Sequence, residues 1–330
     1  MADDEAKQLA ETFPADPELY RPSKEEIEWL KKVIGIEDEE ELKRHAFAVQ
    51  AEGLAVCPYP CLTIFVFTSY KIAKHPAYQD VLKLGKERPG AIYLETACCF
   101  GNDVRKLVSD GYPIENIVAT DLQKDFWQLG HTFFRTTPSS FPVPFLTGDI
   151  FDPEFLSPAS PLPTSRSLPN IPPPPSLISL PTLTPLLHTL SIIHAAAFFH
   201  LFQKEEQREL AFLLASLLSP LPGSLILGSH IGLPDTAEYR HGGSRPSHLS
   251  GTMFAHSPSS WRDVWVGSRA DERGVGEGGK AEEGVFKRGE VEVWAEVTEV
   301  VDRSAFARQE MGKTEGVSKG VILSWSVKRV

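Results

Sequence analysis

Residues 91–111 read AIYLETACCFGNDVRKLVSDG. The run Ala91–Ala97 is apolar, then ends in an acid and small residues, as a buried strand does; Gly101 opens a short helix that Gly111 closes. The same pattern returns downstream. NIVATDL (116–122) reads as a second buried strand ending at Asp121, and QKDFWQLGHTFFR (123–135) spaces Phe126, Leu129, Phe133 and Phe134 as one helix face. VPFLTGDI (143–150) reads as a third strand ending at Asp149. Three strands alternating with helices through short connections require right-handed crossovers and a parallel sheet. Ligands of such sheets bind beyond the carboxyl ends of the strands, where Glu95, Asp121 and Asp149 fall.

Working outward, LSIIHAA (190–196) predicts a fourth strand, KEEQRELAFLLASLL (204–218) an amphipathic helix and PGSLILGSHIG (222–232) a fifth strand. Residues 232–260 read as a long loop, ending where SPSSWRDVWVGS starts a helix at a serine N-cap; 272–284 reads as a flexible excursion. VEVWAEVTEV and VILSWSVKRV alternate like the antiparallel strands that complete a mixed sheet. Toward the N-terminus, SKEEIEWLKKVIG predicts a helix with Ser23 at the cap and Glu26 in a capping box. A second helix is expected over about 39–50, an extended turn at Pro58 and Pro60, and helix over 63–84 broken near Pro76. The chain thus divides into an acidic arm (1–22), a helical cap (23–88) and an α/β domain (89–330). Of 27 prolines, eleven lie between Pro153 and Pro185. They mark an insertion between the third and fourth strands, expected as an extended, mostly exposed loop.

Charge narrows the function. The chain has 330 residues, with 33 Lys+Arg against 44 Asp+Glu, a formal net charge of −11. No basic stripe offers itself to phosphates, so a nucleic-acid binder is not expected. The apolar region Leu190–Phe202 is too short for a membrane span and is interrupted by His194 and His200. The opening MADDEAKQLAETF lacks the pattern of a secretory signal, and four cysteines do not make a disulfide framework, so a soluble cytoplasmic protein is expected. Cys57-x3-Cys61 and adjacent Cys98-Cys99 fit zinc poorly, and no metal is expected.

The first turn separates cofactors. A dinucleotide needs Gly-x-Gly-x-x-Gly for close approach of its pyrophosphate to a helix N-terminus. Here the turn is Glu95-Thr96-Ala97-Cys98-Cys99-Phe100-Gly101, with one glycine. S-adenosylmethionine carries no phosphate, so small residues suffice. An acid about 20 residues beyond the turn can hold both ribose hydroxyls, and Asp121 stands there; Asp149 then suits the adenine amino group, with Ile150 against the ring.

YLETACCFGNDVRKLVSDG resembles the first motif of class I S-adenosylmethionine-dependent methyltransferases, in the fungal branch serving meroterpenoid and polyketide clusters. The resemblance continues through NIVATDLQKDFWQLG, TGDIFDPEF, IIHAAAFFHLFQKEEQ, PGSLILGSHIG and GTMFAHSPSSW, and upstream through PYPCL and HPAYQDVL. It implies a Rossmann-like fold: a mostly parallel seven-stranded sheet with helices on both faces. It further implies cofactor contacts at Glu95, Ala97, Cys98, Gly101, Asp121, Leu122, Asp149, Ile150, His194 and Ala195. The chain departs from the family's usual form at Glu95, Thr96, Ala97 and Asn102, each change keeping size or charge roughly, and Ser191 stands where strand four usually opens on aspartate.

Methyl transfer from a sulfonium is an in-line displacement, so the protein must mainly align its partners in a dry pocket. A carboxylate acceptor needs no base, whereas a phenol benefits from one, usually a histidine. His200 is the expected base or lining residue and His194 a cofactor-side contact, against the plain reading of both as core histidines. Tyr59, Phe199, His230, Tyr239, Met253, Phe254 and His256 are expected at the acceptor pocket. Asp121 and Asp149 could instead simply cap helices, Tyr59 could be a turn residue, and Cys98 and Cys99 read as small buried packing. The expected activity is O-methylation of a carboxyl or phenolic oxygen of a small hydrophobic secondary metabolite, with a cofactor-dependent cyclisation or a catalytically retired binding partner as rivals. A monomer or homodimer is expected.

Overall fold

A computed structural model describes residues 17–165, 176–240, 252–268, 283–300 and 320–330. Most of the expected acidic arm, the proline-rich residues 166–175, part of the loop after strand five and most of the 272–284 excursion lie outside the described residues.

The cap begins with helix α1 (Lys24–Ile34). The Ser23 hydroxyl accepts from Glu26 N–H at 3.2 Å while Glu26 Oε2 accepts from Ser23 N–H at 2.7 Å. This is the expected capping box, an arrangement contributing roughly 1 kcal/mol. Helix α2 (Glu39–Val56) starts on Asp38, and α3 (Pro60–Thr63) is a single turn opened by Pro60. The helix expected over 63–84 is not continuous. Phe65 takes a left-handed conformation (φ 53°), two 3-10 turns follow at Val66–Thr68 and Ile72–Lys74, and α4 (Tyr78–Glu87) starts only beyond Pro76. Proline lacks the N–H that an unbroken helix would need there.

Five parallel strands follow: β1 (Ile92–Thr96), β2 (Ile117–Asp121), β3 (Phe145–Thr147), β4 (Leu190–His194) and β5 (Leu225–Ile231). A separate hairpin, β6 (Ala237–Arg240) with β7 (Thr252–Ala255), occupies part of the stretch read as loop. Strands β8 (Val291–Val300) and β9 (Gly320–Arg329) pair antiparallel, and β9 runs antiparallel to β5. The seven-stranded order is β3-β2-β1-β4-β5-β9-β8, so the chain reverses its direction of growth between β1 and β4. Helices α5 (Asn102–Ser109), α6 (Lys124–Phe133), α7 (Lys204–Leu217) and α8 (Pro258–Val266) complete the domain.

Cap and domain share a core. Trp29, Leu30, Phe65 and Phe67 of the cap are buried with Phe100, Phe126, Phe133 and Phe134. Phe100 belongs to the turn after β1, and its ring lies 4.8 Å from Phe67 and 5.8 Å from Phe126. Burying such rings favours docking by roughly 1.5–3 kcal/mol each, so the turn is clamped from behind by the cap.

The insertion differs from its expected form. Leu156, Leu180, Leu183 and Leu186 are buried in the main core. Arg329 donates to Leu162 O at 2.7 Å and to Thr164 Oγ1 at 3.3 Å, and Ser165 N–H donates to Pro220 O at 2.9 Å. Its leucines recur among the prolines and find apolar partners, so the flanks pack instead of lying exposed. These anchors sit at the amino end of β5, opposite the edge that carries Glu95 and Asp121. Among the described residues no helix is long and apolar enough to cross a membrane.

Candidate functional site

Strands β1 and β4 are neighbours at the point where the sheet order reverses, and each ends in a chemically active residue. The cleft beyond such a reversal is where open α/β sheets bind ligands. Glu95 and His194 stand directly opposite in register, and both are buried. His194 Nδ1 lies 2.8 and 3.0 Å from the two Glu95 oxygens, and the Tyr93 hydroxyl also donates to that carboxylate. Burial lifts the Glu95 carboxyl above its ordinary value. Burial pulls the His194 imidazole down, yet the adjacent Glu95 carboxylate outweighs it and holds the imidazole above its ordinary value. His194 is therefore an ion-paired anchor of the two central strands.

Asp103 joins this cluster and escaped the sequence reading, although an acid two residues past Gly101 was a usable signal. Its Oδ1 accepts the Lys71 and Ile72 N–H groups at 2.6 and 2.9 Å, tying the cap to α5. Ligand atoms of Glu95, Asp103 and His194 lie within 4.8 Å of one another, a spacing that could admit a cation. In the structure these atoms instead engage each other, Tyr93 and the two backbone amides.

The turn after β1 is built for close approach. Ala97, Cys99 and Gly101 have φ of 49°, 49° and 69°, a left-handed region costly for side-chain-bearing residues and easy for glycine. A Cβ on Gly101 would lie 2.5 Å from the Trp127 ring and 2.7 Å from Arg105 Nη1. Behind the turn, buried Arg105 donates to Phe100 O at 2.8 Å and Gly101 O at 3.3 Å, with its guanidinium over the Phe134, Phe141 and Trp127 rings. Burial lowers its pKa to about 9, so it stays charged at neutral pH. Helix α6 approaches closely enough that a Cβ on Gly130 would meet Phe100 O at 2.2 Å.

Asp121, at the end of β2, closes the turn from the side. Its Oδ2 accepts Cys99 N–H at 2.7 Å and its Oδ1 accepts Gln123 N–H at 2.9 Å. Burial raises its pKa, and the Gln123, Cys99 and Leu122 amides oppose that. A carboxylate offers about four lone-pair sites, more than these amides fill, and the next residue, Leu122, is apolar yet 44% exposed. A carboxylate beside an uncovered leucine can take a vicinal diol and the face of an aromatic ring, which is the chemistry a nucleoside presents. Asp149 is exposed just beyond β3, where its Oδ1 accepts Phe151 N–H at 3.0 Å, and Ile150 is buried. Cys98 is buried with its thiol pushed up by burial; Ala195 is buried and donates its N–H to Leu227 O.

The expected acceptor residues separate into two groups. Tyr59 is half-buried, its ring 5.6 Å from Phe126 and its hydroxyl shifted upward by burial and by nearby Cys57 and Asp121. His200 is half-buried on the 3-10 turn Phe199–Leu201, and Phe254 is half-buried on β7. Phe198, Phe202 and Phe151 stack edge to face beside that turn at 5.1–5.4 Å and are also partly covered. Tyr239 pairs with Met253 in the hairpin. By contrast Phe199, His230, Met253 and His256 are buried. Phe199 and His230 lie in a box with Trp261 and Trp325, so the expected rim positions are interior ones. His230 Nδ1 accepts from the Trp325 indole N–H at 3.0 Å; since indole only donates, the His230 proton sits on Nε2. Burial, with His200 and His256 nearby, pushes the His230 pKa well down. Burial and Lys204 take His256 to about 3. Both are therefore neutral at neutral pH and weaker bases than an ordinary histidine.

The chain is similar in sequence to known fungal methyltransferases. Residues 15–68 match a family model described as meroterpenoid methyltransferase N-terminal domain. The chain is 26% identical over 253 residues to the O-methyltransferase phiE of a fungal species, covering 75% of this chain and 67% of that one. It is 29% identical over 226 residues to the asnovolin E/chermesin D methyltransferase nvfJ of Aspergillus novofumigatus (68% and 69% covered), and 26% identical over 242 residues to the methyltransferase ausD of Aspergillus calidoustus (73% and 75% covered). The solved DhpI–SAH complex aligns over 87% of this chain and 96% of that one, with 10% identity and a TM-score of 0.36. The chain is similar to the S-adenosylmethionine-dependent methyltransferases of fungal secondary metabolism, and its seven-stranded, mostly parallel sheet has the Rossmann-like class I arrangement.

Proposed function

We propose that the protein methylates a carboxyl or phenolic oxygen of a small hydrophobic acceptor of polyketide or meroterpenoid type. The observation that carries this reading is the half-exposed His200 and its aromatic neighbours Phe151, Phe198 and Phe202, beside the sheet edge that bears the turn 97–101 and Asp121. S-adenosylmethionine supplies the electrophilic methyl group. Asp121 would hold the ribose hydroxyls, Leu122 and Ile150 the adenine ring, and Asp149 its amino group. The backbone of Ala97–Gly101, Glu95 and Ala195 would face the methionine end, with Cys98 packing beside it.

The protein's own part is then to orient and to exclude water. Phe151, Phe198 and Phe202 give an apolar wall, with Tyr59 closing from the cap and Phe254 from the hairpin side. For a phenol, His200 accepts the hydroxyl proton; for a carboxylate it donates to the oxygen that does not react. The name of one relative, the O-methyltransferase phiE, supports oxygen as the methylated atom. A net charge of −11 supports a small acceptor over a nucleic acid, and a cytoplasmic monomer or homodimer is the working arrangement. The test is incubation of the protein and isotopically labelled methyl donor with fungal metabolite extracts, followed by mass spectrometry. Labelled methyl esters or ethers support the proposal. Cofactor binding with no labelled product would favour a cyclising or retired protein instead.

A further inference from the structure

Four buried side chains beside the acceptor wall hold polar atoms that the fold does not use. They are His230 on β5, Gln207 on α7, Trp261 on α8 and His256 just beyond β7, none more than 3% exposed. His230 Nε2, His256 Nε2, the Trp261 indole nitrogen and Gln207 Oε1 have no hydrogen-bond partner among the described residues. A buried polar atom left unpaired costs stability, so four in one place point to a ligand. The four are linked by contact. The His230 and His256 rings lie 4.8 and 5.2 Å from the Trp261 ring, both edge to face. Phe254 meets His256 edge to face at 4.7 Å, and its carbonyl oxygen accepts from Gln207 Nε2 at 2.7 Å. Gln207 Nε2 also donates to Phe202 O at 2.9 Å. Toward the cleft, the half-buried His200 ring stacks on His230 at 6.4 Å. His230 itself stands beyond Leu227, where pairing with the end of β4 stops, and so at the carboxyl edge of the sheet.

Fixed tautomers give the cluster a defined hydrogen-bond pattern. Trp325 donates to His230 Nδ1 at 3.0 Å, which leaves a proton on Nε2. His256 Nδ1 lies 2.9 Å from Ser260 Oγ, whose own proton goes to Ser257 O at 3.2 Å. The His256 proton therefore sits on Nδ1, and Nε2 is a bare acceptor. An indole nitrogen only donates and an amide oxygen only accepts. The set is thus two donors, His230 and Trp261, and two acceptors, His256 and Gln207. Burial keeps both imidazoles uncharged at neutral pH.

We propose that these four side chains form a polar subsite that selects the acceptor by an edge carrying two oxygens, at least one of them a hydroxyl. A hydroxyl accepts from His230 or Trp261 and gives its proton to His256 or Gln207, so it satisfies both kinds of atom. A carbonyl satisfies the donors alone, and beside a hydroxyl it completes the set. A carboxylate is the wrong group here, because it leaves both acceptors unpaired. The oxygen that is methylated and the edge that is recognised are therefore different parts of the acceptor: the first faces His200, and the second, a dihydroxyaryl or hydroxycarbonyl edge, reaches the atoms behind it. The link to the acceptor rests on His200 marking the acceptor side; the hydrogen-bonding set does not.

The test uses the full-length protein with isotopically labelled histidine nitrogens, followed by NMR. It is titrated with resorcinol or with m-xylene, which has the same shape and methyl groups in place of hydroxyls. Resorcinol should shift the ring nitrogen signals of His230 and His256, assigned through their contacts with the Trp261 ring, and leave that of His45 in the cap unmoved. It should bind roughly tenfold more tightly than m-xylene. That preference should fall about fivefold in His230→Phe and in His256→Phe, while His256→Gln, which keeps an acceptor, should retain most of it. The shifts are read in the parent protein, so they decide the matter even where a variant fails to fold. Equal affinity for the two probes, or shifts confined to other histidines, would overturn the proposal. Subsite and methylation fail separately. Resorcinol bound in this way, with no labelled methyl product from any extract, would keep the subsite and overturn the methylation reading. Labelled product from a protein with no preference for resorcinol would overturn the subsite alone.

Discussion

His194 Nδ1 donates to both oxygens of the Glu95 carboxylate, so the carboxyl ends of β1 and β4 are joined by a buried ionic hydrogen bond at the reversal of the sheet. Removing one partner strands the other's charge in the interior. Glu95→Gln and His194→Gln should each cost about 3–5 kcal/mol in urea unfolding, with the double variant less destabilised than the sum. Additive losses would show the pair to be neutral.

This pair also sets the sign of the alkaline limb of stability. The folded state raises both the His194 and the Glu95 pKa, so both bind protons more tightly when folded. The stability from His194 is fully present below its unfolded value of about 6.5 and is lost as pH rises through its higher folded value. Glu95 slopes the same way from its own lower unfolded value. Urea midpoints should therefore decline above about pH 6.5, and His194→Gln should flatten that decline.

The acid limb has the opposite cause. His75 and His256 are buried and held neutral, with pKa values of about 4 and about 3. Burial is the main cause for both, helped by His194 beside the first and Lys204 beside the second. Because the folded values are depressed, stability is intact above about 6.5 and falls as pH drops toward 4, by up to roughly 1.4 kcal/mol per pH unit per histidine. His256→Gln should shallow the acid limb in a pH series of thermal melts without moving the alkaline one.

Asp121 supports the turn through Cys99 N–H and would support the ribose. Asp121→Ala should weaken S-adenosylmethionine binding at least 30-fold by calorimetry, with Asp121→Asn intermediate because one amide acceptor survives. Unchanged affinity in the alanine variant would remove Asp121 from the site.

Gly101 answers to a different constraint. Gly101→Ala adds strain at φ 69° and a clash with Trp127 and Arg105. A loss of roughly 1–3 kcal/mol in stability is expected, with weaker cofactor binding by the surviving folded fraction. Thermal melts with and without cofactor report both effects.

The sheet was legible because parallel strands are buried on both faces and read as apolar runs, and because Glu95, Asp121 and His194 end theirs at the same edge. What escaped depends on contacts far apart in sequence. Nothing in PGSLILGSHIG says that His230 will meet Trp325, because their pairing is set by β9 returning antiparallel beside β5. His230 and His256 therefore read as rim residues when they are interior ones. The hairpin of β6 and β7 escaped because its two strands are only four residues each, shorter than a pattern needs to declare itself.

Arg329 gives the proline-rich insertion an address with a practical side. Its grip on Leu162 and Thr164 secures the run-up to residue 166 at the edge of the sheet remote from Glu95 and Asp121. Replacing 166–175 with a reporter domain should leave cofactor affinity unchanged in calorimetry, whereas Arg329→Met should loosen the splice point and lower the melting temperature. An unchanged affinity would mark residue 165 as a grafting port, held by Arg329 at the face away from Glu95 and Asp121.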